Sequence, residues 1–221
     1  MVFSTLARQK ADRYWEGSFH HPFVRELQAG TLSSEVFRYY LLQDRYYLEH
    51  FSRIYGLIAE RTDQPEIKAL MAENARHLAE GEVLIREGFF QKLGITEEEV
   101  RTTPIAPTAE HYVAHMYRQL AEGSLAVACA SLLPCPWLYH EIGLRLKPQG
   151  SPVEIYQQFI DTYAGEDSKE NIVYECQVLD QLYSKASPVE KEAMLAAFYR
   201  SSQLEYLFWE MAYTLEKWPL E

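Results

Sequence analysis

Apolar side chains recur every three or four residues along almost the whole chain, and this spacing most constrains how the chain can fold. It places apolar residues on one face of a helix, whereas the strict alternation that favours strands is absent. The pattern predicts helices over residues 3–16, 22–29, 34–61, 65–93, 108–123, 124–147, 151–164, 168–185 and 188–217. We therefore expect an all-α fold, built as a helical bundle.

Two helix starts carry the same short signal, Ser-Pro-Val-Glu, at residues 151–154 and 187–190. Each combines an N-cap serine, a proline at the first helical position and a glutamate that can reach back to the cap. Gly94 is expected to end the preceding helix at Leu93. The length of 221 residues, without a linker or repeat, suits one helical domain over residues 1–221.

The charge of the chain limits its partners. It has 21 basic and 32 acidic residues, for a formal net charge of −11. Because phosphate binding needs clustered Lys and Arg, and no such cluster is present, we expect no nucleic-acid partner. The sequence has no run of about 18 apolar residues, so we expect no membrane span. The segment Met1 to Trp15 lacks the apolar core of a secretory signal, so we expect a soluble, cytoplasmic protein.

Two carboxylates interrupt the apolar stripes of long predicted helices. Asp44 lies in the middle of the stripe of helix 34–61, and Glu205 is central in the stripe of helix 188–217. An unpaired buried carboxylate costs several kcal/mol or shifts its pKa until it is neutral. Each of these two carboxylates is therefore expected to have a structural partner or a function. The two side chains are expected to face one interior cavity. The alternative for each is a core ion pair or a helix-capping contact.

The segment Leu133-Pro134-Cys135-Pro136-Trp137 predicts a break within helix 124–147. A proline inside a helix costs about 3 kcal/mol and pushes the preceding residue out of helical conformation. In one arrangement Pro136 begins a new helical segment and Cys135 lies at its N-terminus, where the helix dipole favours a thiolate. The alternative is a buried, unreactive cysteine. Cys129 and Cys176 have the pattern of small core residues, and the odd set of three cysteines predicts reduced thiols.

Histidines and tyrosines add weaker candidates. His111 and His115 are four residues apart, a spacing that can hold a metal on one helix face, but an exposed pair without a third ligand is the alternative. We therefore expect no metal site. Several tyrosines lie near the stripes, and buried phenol groups need hydrogen-bond partners. Aromatic stripes are usually core, yet converging tyrosines also suit a flat heteroaromatic ligand.

The sequence resembles the TenA family, the aminopyrimidine aminohydrolases also called thiaminase II, over roughly residues 5 to 218. Four segments carry the resemblance, and together, in this order and at this spacing, they are a specific signal. They are Tyr40-Leu41-Leu42-Gln43-Asp44-Arg45-Tyr46-Tyr47-Leu48, Ser131-Leu132-Leu133-Pro134-Cys135-Pro136-Trp137-Leu138-Tyr139-His140-Glu141-Ile142-Gly143, Asp161-Thr162-Tyr163-Ala164 and Leu204-Glu205-Tyr206-Leu207-Phe208-Trp209.

This resemblance implies a heme-oxygenase-like helical bundle, a homotetramer and no cofactor. It also implies hydrolysis at the methylene carbon attached to an aminopyrimidine ring. Thiamin would release its thiazole, and aminomethylpyrimidine would release ammonia. Both substrates give hydroxymethylpyrimidine, which serves thiamin salvage.

The resemblance implies a role for each matched residue. Cys135 resembles the nucleophile that adds to the ring, and Glu205 the acid that protonates a ring nitrogen. Asp44 resembles the carboxylate that holds the exocyclic amine and helps to activate the thiol. The remaining matches imply substrate binding, by hydrogen bonds from Tyr47, Tyr139 and Tyr163 and by ring packing against Tyr112 and Phe208. Gly165 departs from the serine of many members, and we expect it to serve as a helix C-cap.

Two other function classes compete with the enzyme. A binding or indirectly regulatory protein would have little use for a nucleophile at a helix break. A metal or heme oxidase on the same fold is the other class, and di-iron bundles use paired Glu-x-x-His motifs. None of the seven histidines has a glutamate three residues before it, and a heme ligand would have to be His20 or His21.

Overall fold

The computed structural model describes residues 1–220, except for the side chains at 82, 83, 85, 166 and 167. Its helices follow the apolar stripes, so the all-α prediction is confirmed. The bounds are α1 Phe3–Phe19, α2 Pro22–Ala29, α3 Ser34–Arg61, α4 Pro65–His77, a π-helical segment Leu78–Glu82, α5 Val83–Leu93, α6 Glu97–Thr102, α7 Pro107–Glu122, α8 Leu125–Leu132, α9 Pro134–Leu146, α10 Glu154–Tyr163, α11 Glu166–Lys185 and α12 Pro188–Thr214.

The two Ser-Pro-Val-Glu signals have different outcomes. Ser187 caps α12 as predicted, because its side chain accepts a hydrogen bond from the backbone N–H of Glu190. The prediction for Ser151 is wrong, since α10 begins only at Glu154. The Ser151 hydroxyl instead donates to the carbonyl oxygen of Leu27, 2.8 Å away on α2. Ser151 is therefore held by a tertiary contact ahead of the helix, and Val153 is the N-cap of α10.

The predicted helix 65–93 is not regular throughout. A π-helical segment, Leu78–Glu82, separates α4 from α5, and both Leu78 and Gly81 line a cavity that Cys135 also lines. Such segments add one residue to a helical turn and are frequent at functional sites. The helix does end at Leu93 as predicted, and Gly94 follows with a left-handed φ of 63°.

A short helix, α6, lies in the region 94–107, which was expected to be a loop. The Thr96 side chain accepts a hydrogen bond from the Glu99 N–H at 3.1 Å and so caps the start of this helix. Six residues are too few for a recognisable apolar stripe. Its carboxylate Glu99 pairs with Arg38 on α3 at 2.7 Å.

The predicted break near Cys135 is confirmed, but it lies earlier than expected. The helix α8 ends at Leu132, and α9 begins at Pro134 rather than at Pro136. Leu133 joins the two helices with helical backbone angles, φ −56° and ψ −33°. Cys135 is thus the second residue of α9, in the first turn of a helix whose N–H groups lack partners within the helix.

The long helices α3 and α12 pass through the middle of the bundle and contact each other. The stripe of α3 is buried as predicted, including Asp44, and that of α12 buries Glu205 among large apolar side chains. Around them α1, α7 and α8 pack on α12, whereas α4, α5 and α7 pack on α3. In the part of the chain that the structure describes, no helix has the length and apolar composition needed to cross a membrane.

Candidate active site

A cavity of about 380 Å³ opens between α3, α4, the π-helical segment, α9, α10 and α11. This volume lies near the lower end of the range of about 300–1,000 Å³ that is common for small-molecule sites. Four of the residues singled out from the sequence line it, namely Asp44, Cys135, Tyr139 and Tyr163. The structure therefore brings together residues that are up to 119 positions apart in the chain.

Asp44 forms a buried ion pair with Arg86, a residue of α5 that the sequence reasoning missed. The Nη2 of Arg86 also donates to the Tyr163 hydroxyl at 3.0 Å, so one guanidinium connects α3 and α10. The alternative reading of Asp44 as part of a core ion pair is thus correct, and the pair lies in the cavity wall. The sequence did carry a signal, because Arg86 stands three residues before the buried Phe89 on an apolar stripe.

Replacing Arg86 by alanine is expected to lower the free energy of unfolding by about 3–5 kcal/mol, because it removes the cation that compensates a buried carboxylate. Urea denaturation followed by circular dichroism would measure the loss. Arg76→Ala is the matched control, since Arg76 makes only exposed ion pairs, and its cost should stay below about 1 kcal/mol. Equal losses in the two variants would contradict the structural importance of the Asp44 pair.

Glu205 is buried behind the cavity wall, beside Cys135. The Tyr112 hydroxyl donates to its Oε1 at 2.6 Å, and the Cys135 side chain is hydrogen-bonded to the same carboxyl group. Burial, with a smaller contribution from the nearby Asp44, raises the pKa of Glu205 to about 8, and the hydrogen bonds from Tyr112 and Cys135 oppose this rise. At neutral pH this carboxyl group is therefore mostly protonated and can donate a proton next to the thiol.

The other predicted residues surround this pair in two groups. Among the described residues, Tyr47, Tyr112 and Phe208 do not line the cavity but pack behind it, with ring centroids of Tyr47 4.8 Å from Tyr112 and 5.7 Å from Phe208. Tyr139 and Tyr163 lie in the wall, with their centroids 4.9 Å apart. Burial raises the pKa of Tyr47 and of Tyr112 well above the ordinary value, which keeps both phenols neutral.

A close approach between α9 and the end of α10 sets the position of Tyr163. A Cβ atom on Gly143 would lie 2.8 Å from the backbone carbonyl carbon of Tyr163, so only glycine allows the two helices to come this close. His140, one turn earlier on α9, donates from Nδ1 to the carbonyl oxygen of Tyr163 at 3.0 Å. The backbone packing of these two helices therefore determines where this cavity residue lies.

The expectation that Gly165 caps the end of α10 is wrong. Ala164 is the C-cap, and Gly165 is the N-cap of α11 with φ −78° and ψ 149°, an extended conformation open to any residue. The nearest side-chain atom to a Cβ at Gly165 would be Ser168 Oγ, 3.7 Å away. A serine would therefore fit at this position without strain.

The histidines singled out from the sequence have burial and hydrogen-bond partners that do not suggest a metal site. The expected exposed pair is half wrong, since His111 is exposed but His115 is buried, and burial lowers the pKa of His115 to about 4. His21 uses Nδ1 to accept from the Phe23 N–H and lies 3.1 Å from Glu210 through Nε2, so both ring nitrogens are engaged. Among the described residues, no group of three or more His, Cys, Asp or Glu side chains is arranged to hold a metal ion.

Known proteins resemble this chain in sequence and in structure over nearly its whole length. An aminopyrimidine aminohydrolase from Bacillus subtilis strain 168 is 38% identical over 218 residues, which cover 99% of this chain and 92% of the relative. A TenA homologue from P. horikoshii OT3 superposes with a TM-score of 0.88 at 26% identity, covering 97% of this chain and 99% of that protein.

The fold itself has a more distant match. A domain of unknown function with a heme-oxygenase-like fold, from Shewanella denitrificans OS217, superposes with a TM-score of 0.77. It is 16% identical and covers 97% of this chain and 93% of that domain, so this likeness confirms the heme-oxygenase-like fold alone. The model of the TENA/THI-4/PQQC family matches residues 8–215, nearly the whole length. The chain therefore belongs to the TENA/THI-4/PQQC family.

Proposed function

We propose that this protein is an aminopyrimidine aminohydrolase of the thiaminase II type, which hydrolyses a C–N bond at the methylene carbon of an aminopyrimidine. The substrates are thiamin, aminomethylpyrimidine or both, and the product is hydroxymethylpyrimidine for thiamin salvage. Relatives that carry the name aminopyrimidine aminohydrolase at 38% and 30% identity, each matched over 99% of this chain, support the reaction class.

The observation that carries the proposal is the contact between Cys135 and a neutral Glu205 at the wall of a cavity that also holds Asp44. A thiol adds to an aromatic ring only if the ring is made electron-poor, and protonation of a ring nitrogen does this. Burial raises the pKa of Glu205 to about 8, so the acid form is available at neutral pH. Cys135 lies in the first turn of α9, where the helix dipole favours the thiolate.

In the first half of the reaction, Asp44 accepts a hydrogen bond from the exocyclic amine and lies beside the neighbouring ring nitrogen. Glu205 protonates a ring nitrogen while the sulfur of Cys135 bonds to the ring carbon adjacent to the methylene-bearing one. The thiol proton goes to a carboxylate, for which Asp44 is our candidate. Electrons of the adduct then expel the leaving group as the methylene C–N bond breaks.

In the second half, water adds to the electrophilic methylene carbon, and its proton passes to solvent or to the released ammonia. The Cys135 sulfur leaves the ring and takes back its proton from Asp44, the ring regains its aromaticity and the ring-nitrogen proton returns to Glu205. Tyr139 and Tyr163, which line the cavity, bind the substrate by hydrogen bonds. The family resemblance assigns the same role to Tyr47, and ring packing to Tyr112 and Phe208, which lie directly behind the cavity wall. We assign these roles from the family resemblance and from the proximity of the side chains to Cys135.

Product analysis tests the proposal directly. Purified protein would be given thiamin and aminomethylpyrimidine separately, and hydroxymethylpyrimidine would be measured by chromatography. Formation of this product from at least one substrate is the expected result, and the faster substrate names the preferred one. If neither substrate yields it while calorimetry still detects binding, the protein is a binding or regulatory member of its family instead.

We further propose that the chain forms one domain that assembles as a homotetramer, as the family resemblance implies. Exposed apolar side chains such as Leu207 and Val189 on α12 are candidates for contacts between copies. Light scattering coupled to size exclusion would measure the mass, and the mass of a single chain would contradict this assembly.

A further inference from the structure

The cavity continues beyond Cys135 to a second polar group that the proposed mechanism does not use. Asn74 on α4 and Asn171 and Glu175 on α11 line the same cavity as Cys135, and we refer to these three residues as the Glu175 cluster. Tyr55 of α3 is a further lining residue. The two polar groups therefore belong to one continuous space.

The hydrogen bonds of the cluster hold one oxygen of the carboxyl group in place. Asn74 Nδ2 donates to Glu175 Oε1 at 2.8 Å, and Asn171 Nδ2 donates to the same oxygen at 3.0 Å. Asn171 Nδ2 also lies 3.1 Å from Asn74 Oδ1, which orients both amides. Among the described residues, Glu175 Oε2 has no hydrogen-bond partner. One oxygen is thus anchored, and the other remains available to a ligand in the cavity.

A buried carboxyl group with this environment is costly for a purely structural purpose. Glu175 is 4% exposed, and within the described part of the chain no Lys or Arg forms an ion pair with it. Burial raises the pKa of Glu175 to about 7, against the opposing effect of the hydrogen bonds from the two amides. An apolar side chain would pack here without this cost. Buried carboxyl groups of this kind in a cleft are candidates for ligand binding.

We propose that the Glu175 cluster is the subsite for the leaving group of the substrate, and that it favours leaving groups that carry a positive charge or a hydrogen-bond donor. The inference rests on the proposed function. If the ring is held between Asp44 and Glu205 and attacked by Cys135, the group expelled from its methylene carbon must occupy the rest of the same cavity. The Glu175 cluster lines that space.

The two proposed substrates differ in what they place there. The thiazolium of thiamin carries a positive charge and a side chain ending in a hydroxyl donor, both of which suit a carboxylate oxygen. Aminomethylpyrimidine has only an amine on the methylene carbon, next to the ring. The Glu175 cluster should therefore contribute to the hydrolysis of thiamin and not to that of aminomethylpyrimidine.

The substitution Glu175→Gln tests this, because glutamine keeps the hydrogen bonds from both asparagines and removes the charge. The kcat/KM for thiamin should fall about tenfold or more, mainly through KM, since one charge-assisted hydrogen bond is lost. The kcat/KM for aminomethylpyrimidine should change by less than about twofold. Glu170→Gln, an exposed change on the same helix, is the control and should leave both values unchanged. If Glu175→Gln does not fold, Asn171→Ala provides the test. Its kcat/KM should then fall for thiamin and stay nearly unchanged for aminomethylpyrimidine.

Each other outcome overturns the inference. Equal losses on both substrates would make Glu175 a structural residue, and an unchanged value for thiamin would place its leaving group elsewhere. A wild-type protein that cleaves aminomethylpyrimidine but not thiamin would refute the leaving-group subsite and keep the proposed function. A protein that cleaves neither would refute both.

Discussion

Cys135→Ser is expected to reduce product formation from either substrate by at least about a thousandfold, the scale seen when an enzyme nucleophile is removed. Serine has nearly the same shape, but its hydroxyl is a far weaker nucleophile at neutral pH than a thiol. Chromatography of hydroxymethylpyrimidine under single-turnover and steady-state conditions would measure the loss. Binding of the substrate should persist, because the contacts proposed for the ring come from other side chains.

Cys176→Ser provides the matched control for the nucleophile. Cys176 lies on α11, is partly buried and is not among the cavity residues, so its replacement should leave activity within about twofold. If Cys135→Ser retained most of the wild-type rate, covalent addition by this thiol would be refuted. The cavity would then have to act on water directly, with Glu205 and Asp44 as the acid and base.

Glu205→Gln is expected to lower kcat by about 10²- to 10⁴-fold, the usual contribution of a general acid. Glutamine occupies the same volume and can still accept from Tyr112, but it has no acidic proton for the ring. Steady-state kinetics across pH 5 to pH 10 would give a second readout. Because the pKa of Glu205 is about 8, the wild-type kcat/KM should fall as pH rises through about 8, and the variant should lack this decline.

The same group links stability to pH. Burial raises the pKa of Glu205 from 4.5 in the unfolded chain to about 8, so the native protein holds the extra proton between these values. The contribution of this group to stability therefore falls as pH rises through that window. Glu205→Gln should become more stable relative to wild type as pH increases, in denaturation measured from pH 5 to pH 9. Glu192→Gln, an exposed change on α12, should show no such trend.

Local sequence predicted most helix ends and failed where a distant residue competed for a cap. The Ser187-Pro188 signal starts α12, where the Ser187 side chain accepts from the Glu190 N–H, whereas Ser151 donates to the carbonyl oxygen of Leu27 on another helix and α10 starts later. The Pro134-Cys135-Pro136 segment predicted a break, yet which proline begins α9 depends on how α8 and α9 pack. One-dimensional patterns describe neighbours along the chain and contain no information about such contacts.

Only part of the candidate site was predicted, because the sequence shows which polar residues are buried but not which of them meet in space. Asp44 and Glu205 stood out because a carboxylate on an apolar stripe must be paired or neutral. The same argument applied to Arg86, Asn74 and Glu175 would have identified them, since each interrupts a buried stripe. It would not have shown that Arg86 pairs with Asp44, while Glu175 forms no ion pair with a Lys or Arg among the described residues. Pairing depends on distance in space.

The sequence by itself determined that the chain is all-helical, which faces of its helices are buried, and that acidic groups and a cysteine lie among the apolar residues. These properties follow from spacing along a helix and from the cost of burying charge. Only the tertiary structure decided that Cys135 contacts Glu205, that Asp44 pairs with Arg86 and that the cavity extends to Glu175. Those contacts join separate helices, so they are set by the packing of the whole bundle.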